Sequence, residues 1–285
     1  MSAPWPLSAH LGYLFTEVPL ERRLAAAAAA GFDAVEHPAP FEVPASRMAT
    51  LLREAGLFLA QVTTGRGPEG EKGLASLPGR EREVRDALAR ALDYAEAVAC
   101  PYVHLMAGCP GADVPHQQAA DTWLANVAAA IHACRDRPVE VLVEPISHAT
   151  VPGYFLDRLT RLDELLPQLP KAPHVLLDTH HASANAEDAP AAIARASWRL
   201  GHVHVADHPG RHEPGTGTID FEALLGALAR TGYDGAIGFE YLPTAETEGG
   251  LDWLPAWRAM MARHAGPTCE GGTGADAAEP GKEEP

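Results

Sequence analysis

The chain has 285 residues, 46% of them hydrophobic and 21% charged, with a net charge of −16 at neutral pH. That composition suits a globular protein with a sizeable core, and the excess of acid excludes a nucleic-acid binder, which needs a basic face to neutralise phosphates. The four cysteines are scattered without a Cys-x-x-Cys pair, and no basic segment leads into an apolar run of spanning length, so a reducing, cytoplasmic setting without membrane contact is expected.

In chain order, short β-branched runs alternate with longer helical patterns. After an opening strand in "SAHLGYLF", the alanine-rich "LERRLAAAAAAG" predicts a helix with Leu20 and Leu24 on one face and Gly31 at its end. "FDAVEH" reads as a strand, "ASRMATLLREAG" as a helix closed by Gly56, and "LFLAQVTT" as a third strand. "REREVRDALARALDYAEAVA" has the longest amphipathic stripe, with Val84, Ala87, Leu88, Ala91, Leu92 and Ala95 on one side. Then come strand "YVHLM", helix "DTWLANVAAAIHAC", strand "VEVLVE", helix "LDRLTRLDELLPQL" and strand "HVLLD". A weaker helix around "APAAIARASW", strand "HVHVA", helix "DFEALLGALARTG", strand "AIGFEY" and helix "LDWLPAWRAMMARH" complete the series.

Strict alternation implies parallel strands joined by helical crossovers. Eight strands and about eight helices fit a closed (β/α)8 TIM barrel better than a doubly wound sheet, and no Gly-x-Gly-x-x-Gly follows the first strand. We expect one barrel domain over residues 1–265. The last twenty residues, 266–285, hold five acids and one lysine among Gly and Pro without apolar periodicity, and are expected to be a disordered acidic tail. The Trp253/Trp257 pair in the last helix has two open destinations, the barrel or a second copy in a homo-oligomer.

A barrel of this kind carries its active site at the C-terminal ends of the strands. Strands five to eight end in Glu144, Asp178, His204 and Glu240, each after an apolar run, and earlier strands present Glu36 and His104. One strand-end acid is ordinarily a solvated or capping carboxylate. Three converging on one mouth repel one another, and a divalent cation is the usual means of keeping them ionised together. Three oxygen donors and one imidazole suit Mg²⁺ or Mn²⁺, with Zn²⁺ or Co²⁺ as alternatives.

Several of these segments, "GYLFTEVP", "GFDAVE", "LPGRE", "HLMAG", "VEPI", "LDTHHA", "HVHVAD", "GRHEPGTGTIDF" and "GFEY", together resemble the hydroxypyruvate isomerase and 2-oxo-tetronate isomerase family of xylose-isomerase-like TIM barrels, from about residue 8 to 258. "FTEVP", "VHLMAG" and "LDTHHA" lean to the 2-oxo-tetronate branch, "EPI" with "PGYFL" to the hydroxypyruvate branch. The resemblance implies a metal site of Glu144, Asp178, position 204 and Glu240, with the two glutamates as acid and base. It places His181 and Arg211 near a small 2-oxo acid substrate. Arg211 is a candidate for the substrate carboxylate, with a surface ion pair to Glu213 as its alternative. Glu36 is expected to hydrogen-bond within the mouth, and His104 to be either a core or a site residue. Arg80 is expected to brace a helix start. Three positions depart from the family pattern: His204 stands for a glutamine, Leu242 for a lysine near the substrate, and His10 for an asparagine.

The implied reaction moves a carbonyl by one carbon through a cis-enediolate, most simply hydroxypyruvate to tartronate semialdehyde. Its rivals are 2-oxo-tetronate isomerisation, ketose 3-epimerisation (which His204 suits as a ligand) and non-catalytic binding of a sugar acid.

Overall fold

The computed structural model describes residues 5–65, 67 and 71–264. The tail expected over 266–285 and Cys269 lie outside them. Eight parallel strands close on themselves in sequence order, β1 (Leu7–His10), β2 (Ala34–His37), β3 (Phe58–Thr63), β4 (Tyr102–His104), β5 (Glu140–Val143), β6 (His174–Asp178), β7 (Leu200–Val205) and β8 (Ile237–Phe239). β8 pairs with β1 to seal the barrel through Leu7–Ile237, Ser8–Gly238 and Ala9–Phe239. Around them lie α1 (Leu20–Ala29), α2 (Ala45–Ala55), α3 (Glu81–Ala97), α4 (His116–Ala133), α5 (Leu159–Leu165), α6 (Thr179–Ala184), α7 (Ala189–Ala196), α8 (Phe221–Thr231) and α9 (Leu254–His264). None of these helices is long and apolar enough to cross a membrane.

The (β/α)8 TIM barrel expected from the alternation is therefore the fold, with differences of detail that have local causes. α4 begins five residues before the expected Asp121, because Pro115 at its N-cap position already has backbone geometry that launches a helix, its φ of −56 being close to the value the ring imposes. α5 stops at Leu165 and passes into a 3₁₀ turn over Leu166–Gln168, since Pro167 has no N–H to continue the α ladder. An unforeseen short helix, α6, starts directly at the end of β6. The Asp178 side chain caps it by accepting from the backbone N–H groups of His180 and His181.

The amphipathic stripe of α3 is buried as expected at Val84, Leu88, Ala91, Leu92 and Ala95. The barrel strands are apolar on both faces because one side meets the helices and the other the interior. At the C-terminal end that interior turns polar. Registers place Asp178 beside His204, His204 beside Gly238, and His10 beside Glu36, so neighbouring strands deliver polar side chains to one level.

Both tryptophans of the C-terminal segment pack on the barrel. The Trp257 ring stands 5.2 Å from Phe221 and 5.1 Å from Phe239, and Trp253 lies 4.4 Å from Phe239 with its indole N–H donating to the Tyr241 hydroxyl at 3.3 Å. Trp257 is fully buried. Truncation to alanine (Trp257→Ala) is expected to destabilise the protein by about 3–5 kcal/mol through lost transfer energy and the cavity left behind. Urea unfolding followed by far-ultraviolet dichroism measures this, and an unchanged midpoint would contradict the packing.

Candidate active site

The central residue is His204. On β7, positions 202 and 204 point to the same side, into the barrel. Glu36 from β2 reaches beneath them, and its Oε2 accepts from His202 Nε2 at 2.8 Å, His204 Nε2 at 2.9 Å and Gln61 Nε2 at 3.1 Å. Room for this carboxylate exists because residue 238 is glycine, where a Cβ would stand 2.0 Å from Glu36 Oε1. With Nε2 donating to Glu36, His204 turns Nδ1 to the mouth. Nδ1 lies 2.8 Å from Glu240 Oε2 but makes no properly directed hydrogen bond to it.

Glu144, Asp178 and Glu240 close round this nitrogen. One ligand atom from each of Glu144, Asp178, His204 and Glu240 can be chosen so that all lie within 4.8 Å of one another, and all four residues are buried. Asp178 has its Oδ1 occupied by the N–H groups of His180 (2.7 Å) and His181 (3.1 Å), leaving Oδ2 for the site. Glu144 Oε1 has no hydrogen-bond partner, and its neighbours are His181 Nε2 at 4.0 Å and, from Oε2, His104 Nε2 at 3.7 Å. Glu240 Oε1 is 3.5 Å from His10 Nε2.

This donor set fits a divalent cation. Glu144 Oε1 and His204 Nδ1 are buried ligand-type atoms that make no directed hydrogen bond, and they share a space with oxygens of Asp178 and Glu240. Glu36, His202 and His204 form a second cluster of ligand-type atoms. Their atoms already bond one another, so that cluster is a satisfied network that orients His204.

Arg211 serves the acids. Its Nη2 is 3.1 Å from Asp178 Oδ2 and 3.0 Å from Glu240 Oε2, and its guanidinium lies 5.3 Å from the Tyr13 ring centre. The alternative pair with Glu213 is replaced by a different arrangement, in which the Glu213 carboxylate accepts from Thr244 N at 2.9 Å and Thr244 Oγ1 at 3.2 Å. The loop that carries Arg211 is wound round the Asp207 side chain, which accepts from His208 N (2.8 Å), Gly215 N (2.8 Å) and Ile219 N (3.2 Å). Arg211 itself adopts a left-handed backbone, φ 60.

Burial and neighbours split the titrating groups. For Glu144, burial and then the Glu240 and Asp178 charges push the carboxyl well above its ordinary value. Glu240 is buried too, but Arg211, His10 and His204 override that and hold it well below. Burial works against charge on His204, yet the Glu36 and Glu240 carboxylates raise it well above an ordinary histidine. Burial lowers His104 to about 3 and His181 to about 4, leaving both neutral imidazoles.

The mouth is a cavity of about 140 Å³ whose lining includes Glu144, Glu240, His204, Arg211, His104 and His181. Glu36 lies below it, fully buried, and its carboxylate faces histidines rather than the open space. Leu242 is 45% exposed at the rim and does not line the cavity. Arg80 braces the start of α3 through ion pairs to Glu71 and Glu83. Sequence reasoning missed Tyr13, Gln61, Thr63, Lys72, Ile146 and Thr150 in the lining. For Gln61 the signal was its inward phase in "LAQVT"; Lys72 sits in an aperiodic glycine-rich loop that carries none.

A model of the xylose isomerase-like TIM barrel matches residues 24–257. The chain is 37% identical over 250 residues to a 2-oxo-tetronate isomerase of Cupriavidus necator, covering 87% of this chain and 96% of that one. It is 30% identical over 254 residues to the hydroxypyruvate isomerase of Escherichia coli, covering 88% and 98% respectively. A crystal structure described as an AP endonuclease, family 2, from Brucella melitensis superposes with a TM-score of 0.84 at 33% identity, covering 89% of this chain and 99% of that one. Fold, motifs and relatives agree: the chain belongs to the xylose isomerase-like TIM-barrel family and is an isomerase built on that barrel.

Proposed function

We propose that the protein isomerises a short 2-oxo acid with a hydroxyl beside the carbonyl, hydroxypyruvate first and 2-oxo-tetronate second, at a divalent cation held by Glu144, Asp178, His204 and Glu240. Mg²⁺ or Mn²⁺ suits the oxygen-rich set ahead of Zn²⁺ or Co²⁺. The observation that carries this reading is the convergence of those four ligand groups within 4.8 Å of one another, three of them, Glu144, His204 and Glu240, lining one cavity of about 140 Å³. That space lies below the ~300–1,000 Å³ of drug-sized sites, favouring a three- or four-carbon acid over a ketohexose. The four-carbon acid is the second reading because of the Cupriavidus necator relative.

The chemistry follows from the placement of the carboxylates. Glu144 follows β5 and Glu240 follows β8, and in this reading the two serve as the acid and base for a substrate held in the cavity they both line. One carboxylate removes the C3 proton of hydroxypyruvate, and the bonding electrons become the C2–C3 double bond of a cis-enediolate. The proton of the C3 hydroxyl passes to the C2 oxygen by way of a neutral imidazole, His181 or His104. The other carboxyl group protonates C2, leaving an aldehyde at C3. A divalent cation held by these residues would supply positive charge to stabilise the oxyanion that develops on the C2 oxygen. Since the reaction runs both ways, each glutamate serves as acid in one direction and base in the other.

The test is isomerisation of hydroxypyruvate and of 2-oxo-tetronate by protein stripped with chelator, with and without added Mn²⁺ or Mg²⁺. Metal-restored turnover of either acid is expected, and Glu144→Gln and Glu240→Gln should each lower kcat by about 10²–10⁴-fold while leaving the fold intact. Absence of turnover on both acids, with a ketose accepted in their place, would overturn the substrate assignment.

Metal binding should depend on pH in a defined direction. His204 has a raised pKa and holds its proton in the metal-free site at neutral pH, and a ligand nitrogen must give that proton up. Affinity for Mn²⁺ is therefore expected to rise with pH, by about tenfold per pH unit for each proton displaced. Calorimetry at pH 7 in buffers of different ionisation heat should detect at least one proton released per ion, and no release would contradict the ligand assignment.

Glu36 acts through His204. Its carboxylate accepts the Nε2–H bond and so fixes which nitrogen faces the mouth, an arrangement whose loss typically costs 10–100-fold in metal affinity. Glu36→Gln is expected to weaken Mn²⁺ binding by about that factor, read by the electron paramagnetic resonance signal of the free ion.

A further inference from the structure

We propose that Lys72 is the group that recognises the substrate carboxylate and so sets specificity for 2-oxo acids over uncharged ketoses. This rests on the reading of the site as one that takes a 2-oxo acid.

An anionic substrate entering this cavity meets Glu144 and Glu240 on one side, and its own carboxylate must turn away from them. The expected partner, Arg211, is already engaged by Asp178 and Glu240 at 3.1 and 3.0 Å. The rim position where the family carries lysine is Leu242, which is half exposed and outside the cavity. One further cationic side chain lines the space among the described residues, and it is Lys72. No carboxylate of the described residues lies within ion-pair distance of its ammonium, whereas its sequence neighbour Glu71 is tied to Arg80 at 2.9 Å. Lys72 thus offers an uncommitted positive charge to a cavity whose other full charges are mutually compensated.

Its place is built into the fold. Gly73 forms an isolated antiparallel bridge with Ala107, just beyond β4. At Gly73, φ is +100, and a Cβ there would stand 2.4 Å from both Met106 Cβ and Met106 O, so only glycine permits this approach. The clamp continues as Ala75 N donates to Met106 O at 3.2 Å, Ser76 N to Ala107 O at 2.8 Å, and Asn126 Nδ2 to Ala75 O at 2.9 Å. The chain is thereby pinned across the end of β4, and Lys72 is set at the mouth on the β3–β4 side, while the acidic ligands come from β5, β6 and β8. A substrate spanning the cavity has its reacting carbons at the acids and its carboxylate at Lys72.

The experiment uses the full chain loaded with Mn²⁺ and compares wild type, Lys72→Met and Lys72→Arg, together with Leu242→Lys. Initial rates with hydroxypyruvate and 2-oxo-tetronate are combined with calorimetric binding of hydroxypyruvate and with Mn²⁺ affinity. Loss of one charged hydrogen bond to a desolvated carboxylate should raise KM about 10–100-fold in Lys72→Met, with kcat changed less than about threefold. Lys72→Arg, which keeps the charge, should stay within about threefold of wild type, Leu242→Lys should leave KM unaltered, and all should bind Mn²⁺ alike. A Lys72→Met KM equal to wild type on a turned-over acid overturns the proposal and leaves the isomerase reading standing. A parallel fall in Mn²⁺ affinity also overturns it, because Lys72 then acts through the scaffold. Wild type that binds hydroxypyruvate without isomerising it, with binding lost in Lys72→Met, supports Lys72 while removing the proposed reaction. Wild type that neither turns over nor binds either acid overturns both.

Discussion

Three carboxylates, Glu144, Asp178 and Glu240, end within a few ångströms of one another in a space largely closed to water. At such separations, with an effective dielectric of about 20, each close pair of like charges costs about 4 kcal/mol, and most of the surrounding structure answers that cost. Arg211 bridges two of the acids, His204 approaches the same Glu240 oxygen, and His10 stands beside the other Glu240 oxygen. Glu144 has the weakest compensation, and burial with the Glu240 and Asp178 charges pushes its carboxyl well above the ordinary value. The loop wound on Asp207 exists in this form to deliver Arg211 to its place. The left-handed backbone of that arginine, φ 60, carries a strain of about 1–3 kcal/mol that the charge neutralisation offsets.

The barrel divides this work by strand. β5, β6 and β8 supply acids, β7 supplies the imidazole, and β2 supplies the buried carboxylate that aims it. The other side of the mouth, reached by the loop after β3, carries residues without acidic charge. Polarity therefore runs across the opening rather than round it, which matches a substrate whose two ends differ in charge. A sensor needs only the second half of this arrangement. Two glutamates in a cavity this small would suit the proton transfers of the proposed reaction.

Much of this was legible beforehand, for physical reasons that differ by element. The barrel could be read because eight apolar runs separated by helical stripes leave few other topologies. Glu144, Asp178, His204 and Glu240 could be read because each ends an apolar run, and parallel strands bring such ends together. Glu36 was legible as an inward residue but not as one below the floor, since alternation gives the face of a strand and not the depth. Likewise His202 gave no sign of its part in the network, because its partner is 166 residues away. Arg211 was assigned the right neighbourhood, but its ion pairs to Asp178 and Glu240 were not foreseen, as which of several acids one side chain reaches is decided by distances alone. The short α6 escaped because six residues carry no period.

Asp178 has a consequence for which ions the mouth admits. One of its oxygens is held by two backbone N–H groups at the start of α6, so the carboxylate cannot rotate to offer both. A cation in the proposed site would then be offered the other oxygen, Oδ2. Ca²⁺ gathers six to eight donors and commonly takes a carboxylate through both oxygens, whereas Mg²⁺ and ions of its size accept one at a time and complete an octahedron with water or substrate. If the proposed cation is seated there, the helix cap would disfavour ions that need both oxygens and would leave coordination positions for the substrate.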